Sequence, residues 1–244
     1  PLLNPNFPDM IKYAKDSGYV DRVDTTTNAS LLNKDLSLKI INAGLDRINI
    51  SIEGMNSKQY LDFSRAKLDF NKLVENIAFF YDNRNQCEMI IKINGDIIDE
   101  EQKEEFYNVF GDIADGVIIE SVMSCWPEFE LDNVSVNMER GIYGQNIKEV
   151  IVCPYVFYSM SINSSGIASA CYLDWERKLI IGDANKQSVK DIWNGERMND
   201  LRKLFLMKKR KSHPICKDCG QLTHGMADNI DDYADELLKR INNE

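Results

Sequence analysis

The stretch "DRINISIEG", residues 46–54, alternates β-branched and polar residues and ends at a glycine, as a strand with one buried face does. The segment "FNKLVENIAFFYDNR", residues 70–84, follows it and places Leu73, Ile77 and Phe80 on one helical face. A strand followed by an amphipathic helix is the repeating unit of a parallel sheet. These residues therefore predict an α/β fold.

The same unit recurs on both sides of this stretch. Strand patterns occur in "VDRVDTTTNAS" (20–30), "CEMIIKING" (87–95) and "GVIIESVMS" (116–124), and helical patterns occur in "NKDLSLKIINAG" (33–44) and "DEEQKEEFYNVFGDIAD" (99–115). Right-handed crossovers would curl such a sheet toward a barrel or an open doubly wound sheet. In both architectures the binding face lies at the carboxyl ends of the strands.

Polar residues end each of these predicted strands. They are Thr26, Thr27 and Asn28; Ser51 and Glu53; Lys92 and Asn94; and residues 124–126. A strand commonly ends in a polar turn, so one such residue predicts little. Four strands that do so together indicate a site on this face.

Composition limits the classes of partner. The chain has 244 residues, 43% of them hydrophobic, and a net charge of −10, which argues against nucleic acid or an anionic membrane as its main partner. No apolar run approaches the roughly 20 residues of a membrane span, and no signal peptide is evident, so we expect a cytoplasmic protein. A chain beginning at Pro1 is expected to continue upstream or to have lost its front.

Four cysteines have the spacing of a metal site. Cys153 and Cys171 are separated by 17 residues, and Cys216 and Cys219 form a C-x2-C pair after a further 44. Six cysteines in a reducing compartment are poor candidates for disulfides, which leaves metal ligation or plain burial. A tetrathiolate cage suits zinc or an iron–sulfur cluster, and the spacing does not separate them. Gly166 predicts a hairpin or bulge that brings Cys171 back toward Cys153.

The remaining candidate groups carry weaker signals. Cys87 lies in an apolar strand and is predicted to be a small buried residue, and Cys125 is left open. His224 could serve zinc but is expected on the surface, and His213 has less to favour it. The basic residues 208–211 are expected to form the solvated carboxyl end of a helix that begins after Ser188.

The cysteine pattern resembles a known module. C-x12-G-x4-C followed by a distant C-x2-C, with "LIIGDANKQSVKDIWNGERMNDLRKLF" (179–205) between them, resembles the C-terminal auxiliary-cluster module of radical S-adenosylmethionine (SAM) enzymes. That module is called SPASM with two clusters and Twitch with one. No cysteine follows Cys219, so the chain resembles the Twitch form. The resemblance implies that Cys153, Cys171, Cys216 and Cys219 ligate one auxiliary [4Fe–4S] cluster.

The front half carries the same resemblance. "PLLNPNFPDMIKYAK" (1–15) resembles the segment after "GE" in the family's "GEPLL", "TTTNAS" resembles "TNG", "INISIEG" resembles "ISIDG", and "YLDFSRAKLDFNKLVENI" (60–77) resembles the helix whose arginine holds the SAM carboxylate. The resemblance implies that Thr27, Asn28, Ser51 and Arg65 line the SAM pocket. The family's CxxxCxxC, which binds the catalytic cluster, is absent from these 244 residues.

The resemblance implies a partial (β/α)6 radical-SAM-type barrel that lacks its first strand or strands, followed by a small α+β iron–sulfur module. The expected parts are a partial barrel (1–124), a linker (125–149), the cluster module (150–226) and a C-terminal helix (227–244). In the complete protein SAM and a second [4Fe–4S] cluster would be cofactors, and a flavodoxin or ferredoxin would supply electrons. This chain alone would be inactive.

Three functions remain open at this point. The first is a radical SAM oxidoreductase that takes a hydrogen atom from a small sugar- or cyclitol-type substrate. The second is a peptide-modifying radical SAM maturase. The third is a non-catalytic iron–sulfur or zinc protein.

Overall fold

The computed structural model describes residues 1–123, 125 and 139–242, which fall into two compact units, residues 1–122 and 123–244. Each unit encloses its own hydrophobic core. The strand-end residues Ser124 and Trp126 lie outside the described residues. No helix among the described residues combines the length and the apolar character that a membrane span needs.

The first unit is built on a four-stranded sheet in which every neighbouring pair is parallel. The strands follow one another in chain order, as in a β/α barrel, whereas a doubly wound sheet reverses its order at a switch point. The prediction of an α/β fold with a parallel sheet is confirmed. Its elements are α1 Phe7–Asp16, β1 Asp24–Thr27, α2 Lys34–Asn42, β2 Arg47–Ile52, α3 Ser57–Ser64, α4 Phe70–Asn83, β3 Glu88–Asn94, α5 Glu100–Phe110 and β4 Gly116–Glu120.

One face of this sheet is apolar and the other is polar. In β2 the isoleucines 48, 50 and 52 are buried, while Arg47, Asn49 and Ser51 are half-exposed on the opposite face. Helix α4 buries Leu73, Ile77 and Phe80, as the sequence predicts. Burial of the apolar face against the helices supplies the main driving force for this fold.

The segment resembling a single helix, residues 60–77, is instead two helices. Asn56 caps α3 by accepting a hydrogen bond from the Gln59 amide at 3.0 Å, and Asp69 caps α4 by accepting one from Lys72 at 3.1 Å. Between them Arg65 takes a left-handed conformation with φ of 58°, which ends α3. Arg65 is therefore at the end of a short helix rather than within a long one.

The second unit holds a three-stranded antiparallel sheet and four helices among its described residues. Its core contains Val152, Ala168, Ile192 and Phe205. Its elements are β5 Ser161–Ile162, β6 Ile167–Ser169, β7 Ile180–Asp183, α6 Val189–Trp193, α7 Glu196–Leu206, α8 Gln221–His224 and α9 Ala234–Asn242.

The long helix expected after Ser188 is also divided. Ser188 caps α6 as predicted, since its hydroxyl accepts from the Asp191 amide at 3.0 Å, but the chain breaks at Gly195 before α7. The C-terminal helix begins at Ala234 rather than at residue 227. The Asp231 carboxylate accepts hydrogen bonds from the Ile151 and Val152 amides, which holds the preceding segment in a loop.

Candidate functional sites

The four predicted ligand cysteines border one cavity of the second unit. Cys153 follows buried Val152, Cys171 follows β6 by two residues, and Cys216 and Cys219 lie on the loop between α7 and α8. All four side chains are half-buried. Residues separated by 66 positions in sequence are thereby brought to one place in the fold.

A tight hairpin positions Cys171. Gly166 has φ of 84°, a left-handed conformation that favours glycine, and its amide donates to the Asn163 carbonyl at 2.9 Å to close the turn between β5 and β6. The pairing of β6 with β7 then shifts register between Ala168 and Ser169. The predicted hairpin or bulge is confirmed, and both features are present.

The C-x2-C loop is held by two side chains that precede it. The Nδ1 atom of His213 accepts from the amides of Ile215 and Cys216 at 3.3 and 3.4 Å. The Arg210 guanidinium donates to the carbonyls of Cys216 and Lys217. Arg210 is 3% exposed, so the expectation that residues 208–211 are all solvated is wrong for it.

His224 is also not the surface residue that was expected. It is 5% exposed in α8, and its main-chain carbonyl accepts from Ile142 at 2.9 Å. It does not border the cysteine cavity. Its burial depends on the tertiary packing of residues 139–150 around α8, which the local sequence does not reveal.

Main-chain amides point at two of the four sulfurs. The Leu173 amide lies 3.4 Å from Cys171 Sγ, and the Tyr155 and Val156 amides donate toward Cys153. Hydrogen bonds of this kind stabilise a thiolate and tune a bound iron–sulfur cluster. This is the arrangement expected of ligand sulfurs.

The thiols repel one another when they ionise. Burial, together with the charges of neighbouring thiolates, raises the pKa of Cys153 to about 12, that of Cys216 to about 12 and that of Cys171 to about 11. Thiolates that border one partly buried cavity need a cation to compensate them, and a coordinated metal deprotonates its thiol ligands outright.

Most of the cavity wall is apolar, and Tyr155, Arg210 and Gln221 are its polar lining residues apart from the cysteines. Val156, Ala170, Leu179, Phe205 and Leu222 line it beside the cysteines. Among the described residues no three His, Cys, Asp or Glu side chains converge closely enough to hold a single metal ion. The four cysteines instead border a common cavity, and a cubane of iron and sulfide needs a space bordered by soft ligands. The donor set therefore fits an iron–sulfur cluster.

A second cavity of about 330 Å³ shares three of these cysteines and adds Cys125. Its other lining residues include Trp175 and Asp218. The Cys125 thiol lies 3.9 Å from Oε1 of Gln221, and burial raises its pKa to about 11. Cys87 is 1% exposed in the core of the first unit, as its apolar surroundings predict.

Three of the four predicted SAM-pocket residues share an open cleft of the first unit. Thr27, Asn28 and Ser51 line it together with Glu53 and the segment Pro1–Leu3. Arg65 is not among the residues that line this cleft; it is exposed beyond the end of α3. Lys92 is also absent from the cleft and pairs with Glu120 at 2.9 Å across β3 and β4.

Local hydrogen bonds shape the floor of this cleft. The Ala29 amide donates to Thr27 Oγ1 at 3.1 Å, and the Ser30 amide donates to Asn28 Oδ1 at 3.2 Å. Glu53 is partly buried, and this desolvation raises the pKa of its carboxyl above the usual 4.5. The cleft thus offers hydroxyl, amide and carboxylate groups at the carboxyl ends of β1 and β2.

Two protein families match separate parts of the chain. The radical SAM superfamily matches residues 1–113, and the iron–sulfur cluster-binding SPASM domain matches residues 153–220. GTP 3',8-cyclase of Chlorobaculum tepidum is 34% identical over 65 residues, which cover 27% of this chain and 19% of the relative. An S-adenosyl-L-methionine-dependent 2-deoxy-scyllo-inosamine dehydrogenase of Niallia circulans is 26% identical over 53 residues, covering 22% and 21%. The chain thus spans about a fifth of the length of these curated relatives.

Two solved structures share the fold. BtrN in complex with AdoMet and 2-DOIA aligns with 95% of this chain and 73% of its own, with a TM-score of 0.55 at 16% identity. Streptococcus suis SuiB bound to S-adenosylmethionine aligns with 88% of this chain and 56% of its own, with a TM-score of 0.57 at 13% identity. At these identities the likeness shows the architecture alone.

Proposed function

We propose that this chain, which matches the radical SAM superfamily over residues 1–113 and the iron–sulfur cluster-binding SPASM domain over residues 153–220, belongs to an oxidoreductase that holds one auxiliary [4Fe–4S] cluster. Cys153, Cys171, Cys216 and Cys219 would be the ligands. The observation that carries the proposal is that these four cysteines border one cavity whose wall is mostly apolar. When bound, such a cluster supplies one-electron chemistry.

The roles of the chain's own residues follow from their positions. The apolar side chains of the cavity limit the contact of water with the sulfurs, and the amides of Tyr155, Val156 and Leu173 would hold ligand sulfurs in place. In the complete protein the cleft beside Thr27, Asn28 and Ser51 would bind SAM. A flavodoxin or ferredoxin is the class of electron donor that we propose.

We propose a small sugar- or cyclitol-type molecule as the substrate. Support comes from the relative whose name is that of a 2-deoxy-scyllo-inosamine dehydrogenase and from the fold shared with BtrN.

Iron analysis of the reconstituted chain tests the cluster. Under anaerobic conditions the wild type should bind about four irons per chain and absorb broadly in the visible range, whereas zinc thiolates are colourless. Cys216→Ala and Cys219→Ala should lose the iron. Cys87→Ala is the matched control, because Cys87 is buried in the other unit. Equal loss of iron from Cys87→Ala would contradict the ligand assignment.

We also propose that these 244 residues do not cleave SAM by themselves. They contain no CxxxCxxC, so they offer no set of three thiolates that would leave one iron free for SAM. The reconstituted chain, incubated with dithionite and SAM, should form no more 5'-deoxyadenosine than a protein-free control. Formation above that control would contradict the proposal.

A further inference from the structure

Arg210 is a buried cation beside the cysteine cavity. It follows α7 in the short turn Arg210–Ser212, its residue is 3% exposed, and it lines the cavity together with the four cysteines. An arginine is rarely buried to this degree unless it is paired. The question is therefore which negatively charged group balances the Arg210 guanidinium.

The hydrogen bonds of Arg210 join two ligand-bearing segments. Nε donates to the Ile151 carbonyl at 3.2 Å, two residues before Cys153. Nη1 donates to the carbonyls of Cys216 and Lys217, the latter at 3.4 Å. One guanidinium thus fixes the start of the Cys153 segment to the C-x2-C loop, and a planar fork of donors suits this task.

These bonds satisfy donors but do not neutralise the charge. In the part of the chain that the structure describes, Arg210 makes no direct ion pair with a carboxylate; Glu149 pairs with Lys211 at 2.8 Å, and the Arg210 charge acts on it only as a lesser cause of its lowered pKa. A buried charge without a counter-charge is strongly unfavourable. An oxidised [4Fe–4S]2+ core with four thiolates carries a net negative charge, and the cavity that Arg210 lines is where it would lie.

We infer that Arg210 is the positioning and charge-compensating residue of the auxiliary cluster, an inference that rests on the cluster proposed above. Reduction by one electron, taken from an external reductant, makes the site more negative and leaves the guanidinium unchanged. The positive charge therefore favours the reduced state and raises the reduction potential. Net charge and hydrogen bonding near the sulfurs are the factors by which proteins adjust such potentials.

Arg202 provides a matched control in the same unit. It is 7% exposed, its guanidinium stacks 4.3 Å from the centre of the Trp193 ring, and Nε donates to the Val156 carbonyl at 2.9 Å. It is not among the residues that line the cysteine cavity. Replacing it removes a buried guanidinium of similar exposure without removing a charge from the wall of the proposed site.

The experiment is an anaerobic redox titration followed by electron paramagnetic resonance, on chains whose iron content is counted first. Arg210→Gln should lower the equilibrium constant for reduction about tenfold or more, which corresponds to about 59 mV for one electron. Arg210→Lys keeps the positive charge and should recover most of the lost equilibrium constant, although it lacks the planar fork of N–H donors. Arg202→Gln should titrate as the wild type does.

The outcomes separate the two proposals. A wild type without iron would overturn the proposed cluster and this inference with it. Full iron content with an unshifted potential in Arg210→Gln, or an equal shift in Arg202→Gln, would overturn the inference alone. If Arg210→Gln does not retain iron, thermal unfolding of the iron-free wild type and variant distinguishes a role toward the cluster from a role in folding alone. Unfolding at the wild-type temperature supports a role toward the cluster, and an unfolded variant shows that Arg210 acts only on the fold.

Discussion

Ala29 takes the place of the glycine in the resemblance of "TTTNAS" to the radical SAM motif "TNG", and its backbone has a conformation that favours glycine. Its φ is 55°, in the left-handed region, and the residue is 1% exposed. An L-residue other than glycine in that region costs about 1–2 kcal/mol. The chain retains the turn because the Ala29 amide donates to Thr27 Oγ1 and so fixes the end of β1.

Arg65 is a second residue in the left-handed region. Substitutions there can distinguish an effect of its backbone strain on stability from a role of its side chain in SAM binding. Its φ of 58° means that Arg65→Gly should raise the free energy of unfolding by about 0.5–1 kcal/mol, whereas Arg65→Ala should leave it nearly unchanged. If Arg65 holds the SAM carboxylate in the complete protein, both variants should weaken SAM binding by about 1.5–3 kcal/mol. Chemical denaturation and calorimetric SAM titration measure the two effects.

An unchanged SAM affinity in both variants would contradict a binding role for Arg65. The exposed position of Arg65 outside the cleft makes this measurement the decisive one. Arg84→Ala is a control for loss of an arginine elsewhere, since Arg84 pairs with Asp115 at 2.9 Å and does not line the cleft.

Glu53 predicts a pH-dependent stability. Burial raises the pKa of its carboxyl above the usual 4.5, so the folded state binds this proton more tightly than the unfolded state does. The contribution of the carboxyl to stability therefore falls as the pH rises above 4.5. Glu53→Gln should be more stable than the wild type at about pH 7, and the difference should shrink toward about pH 4.

Thermal unfolding of both proteins at the two pH values measures this effect. Glu104→Gln, an exposed position of α5, is the control and should change little at either pH. A stability difference for Glu53→Gln that is equal at both pH values would assign the effect to packing rather than to charge.

At the scale of elements, the β5–β6 hairpin depends on Gly166. A Cβ at this position would lie 2.2 Å from Asn185 Nδ2, which donates to the Ser165 carbonyl at 2.8 Å. Gly166→Ala should therefore lose stability twice, through left-handed strain and through this hydrogen bond, by about 2 kcal/mol in all. Urea denaturation measures the change, and iron content reports whether Cys171 is still correctly placed.

Gly144 is a control that separates the cost of left-handed strain from the cost of losing the Asn185 hydrogen bond. Its φ is 74°, yet a Cβ there would meet no atom within 4 Å. Gly144→Ala should therefore show the strain alone, about 1 kcal/mol, with no loss of iron. Equal destabilisation by the two substitutions would mean that the Asn185 contact contributes nothing.

The elements that the sequence predicts well are those with a strong local period. The four strands and α4 follow from alternation and from the spacing of Leu73, Ile77 and Phe80. The errors occur where a helix is interrupted without a proline, as at Arg65 and Gly195. In such places capping side chains and tertiary packing determine where a helix ends, and periodicity does not record them.

At the scale of the whole molecule, the spacing of the cysteines predicts which residues meet, and the structure brings all four to one cavity. Spacing does not predict what surrounds them. From the sequence, Arg210 is predicted to be one solvated residue of a basic run and His224 a surface residue, but both are buried. Burial of a charged or polar group depends on distant segments, such as the Ile151 carbonyl that Arg210 reaches.

If the proposed cluster is bound, removal of its iron should affect the two units differently. Cys153, Cys171 and Cys216 pack against the core of the second unit, whereas the first unit has a separate core of its own. Metal-binding free energy adds to folding free energy, so a chelator should accelerate amide hydrogen exchange across residues 150–222 about tenfold or more. Residues 1–122 should exchange at an unchanged rate.

Hydrogen exchange followed by mass spectrometry resolves the two regions in one experiment. Cys216→Ala is the control, because a chain that lacks one of the four proposed ligands should not respond to the chelator. Burial raises the pKa of Cys153 to about 12, so this thiol stays protonated in the iron-free chain and adds no charge repulsion to the comparison. Acceleration spread evenly over both units would mean that the iron stabilises the chain as a single cooperative body, and the assignment of the cluster to the second unit would then lose its support.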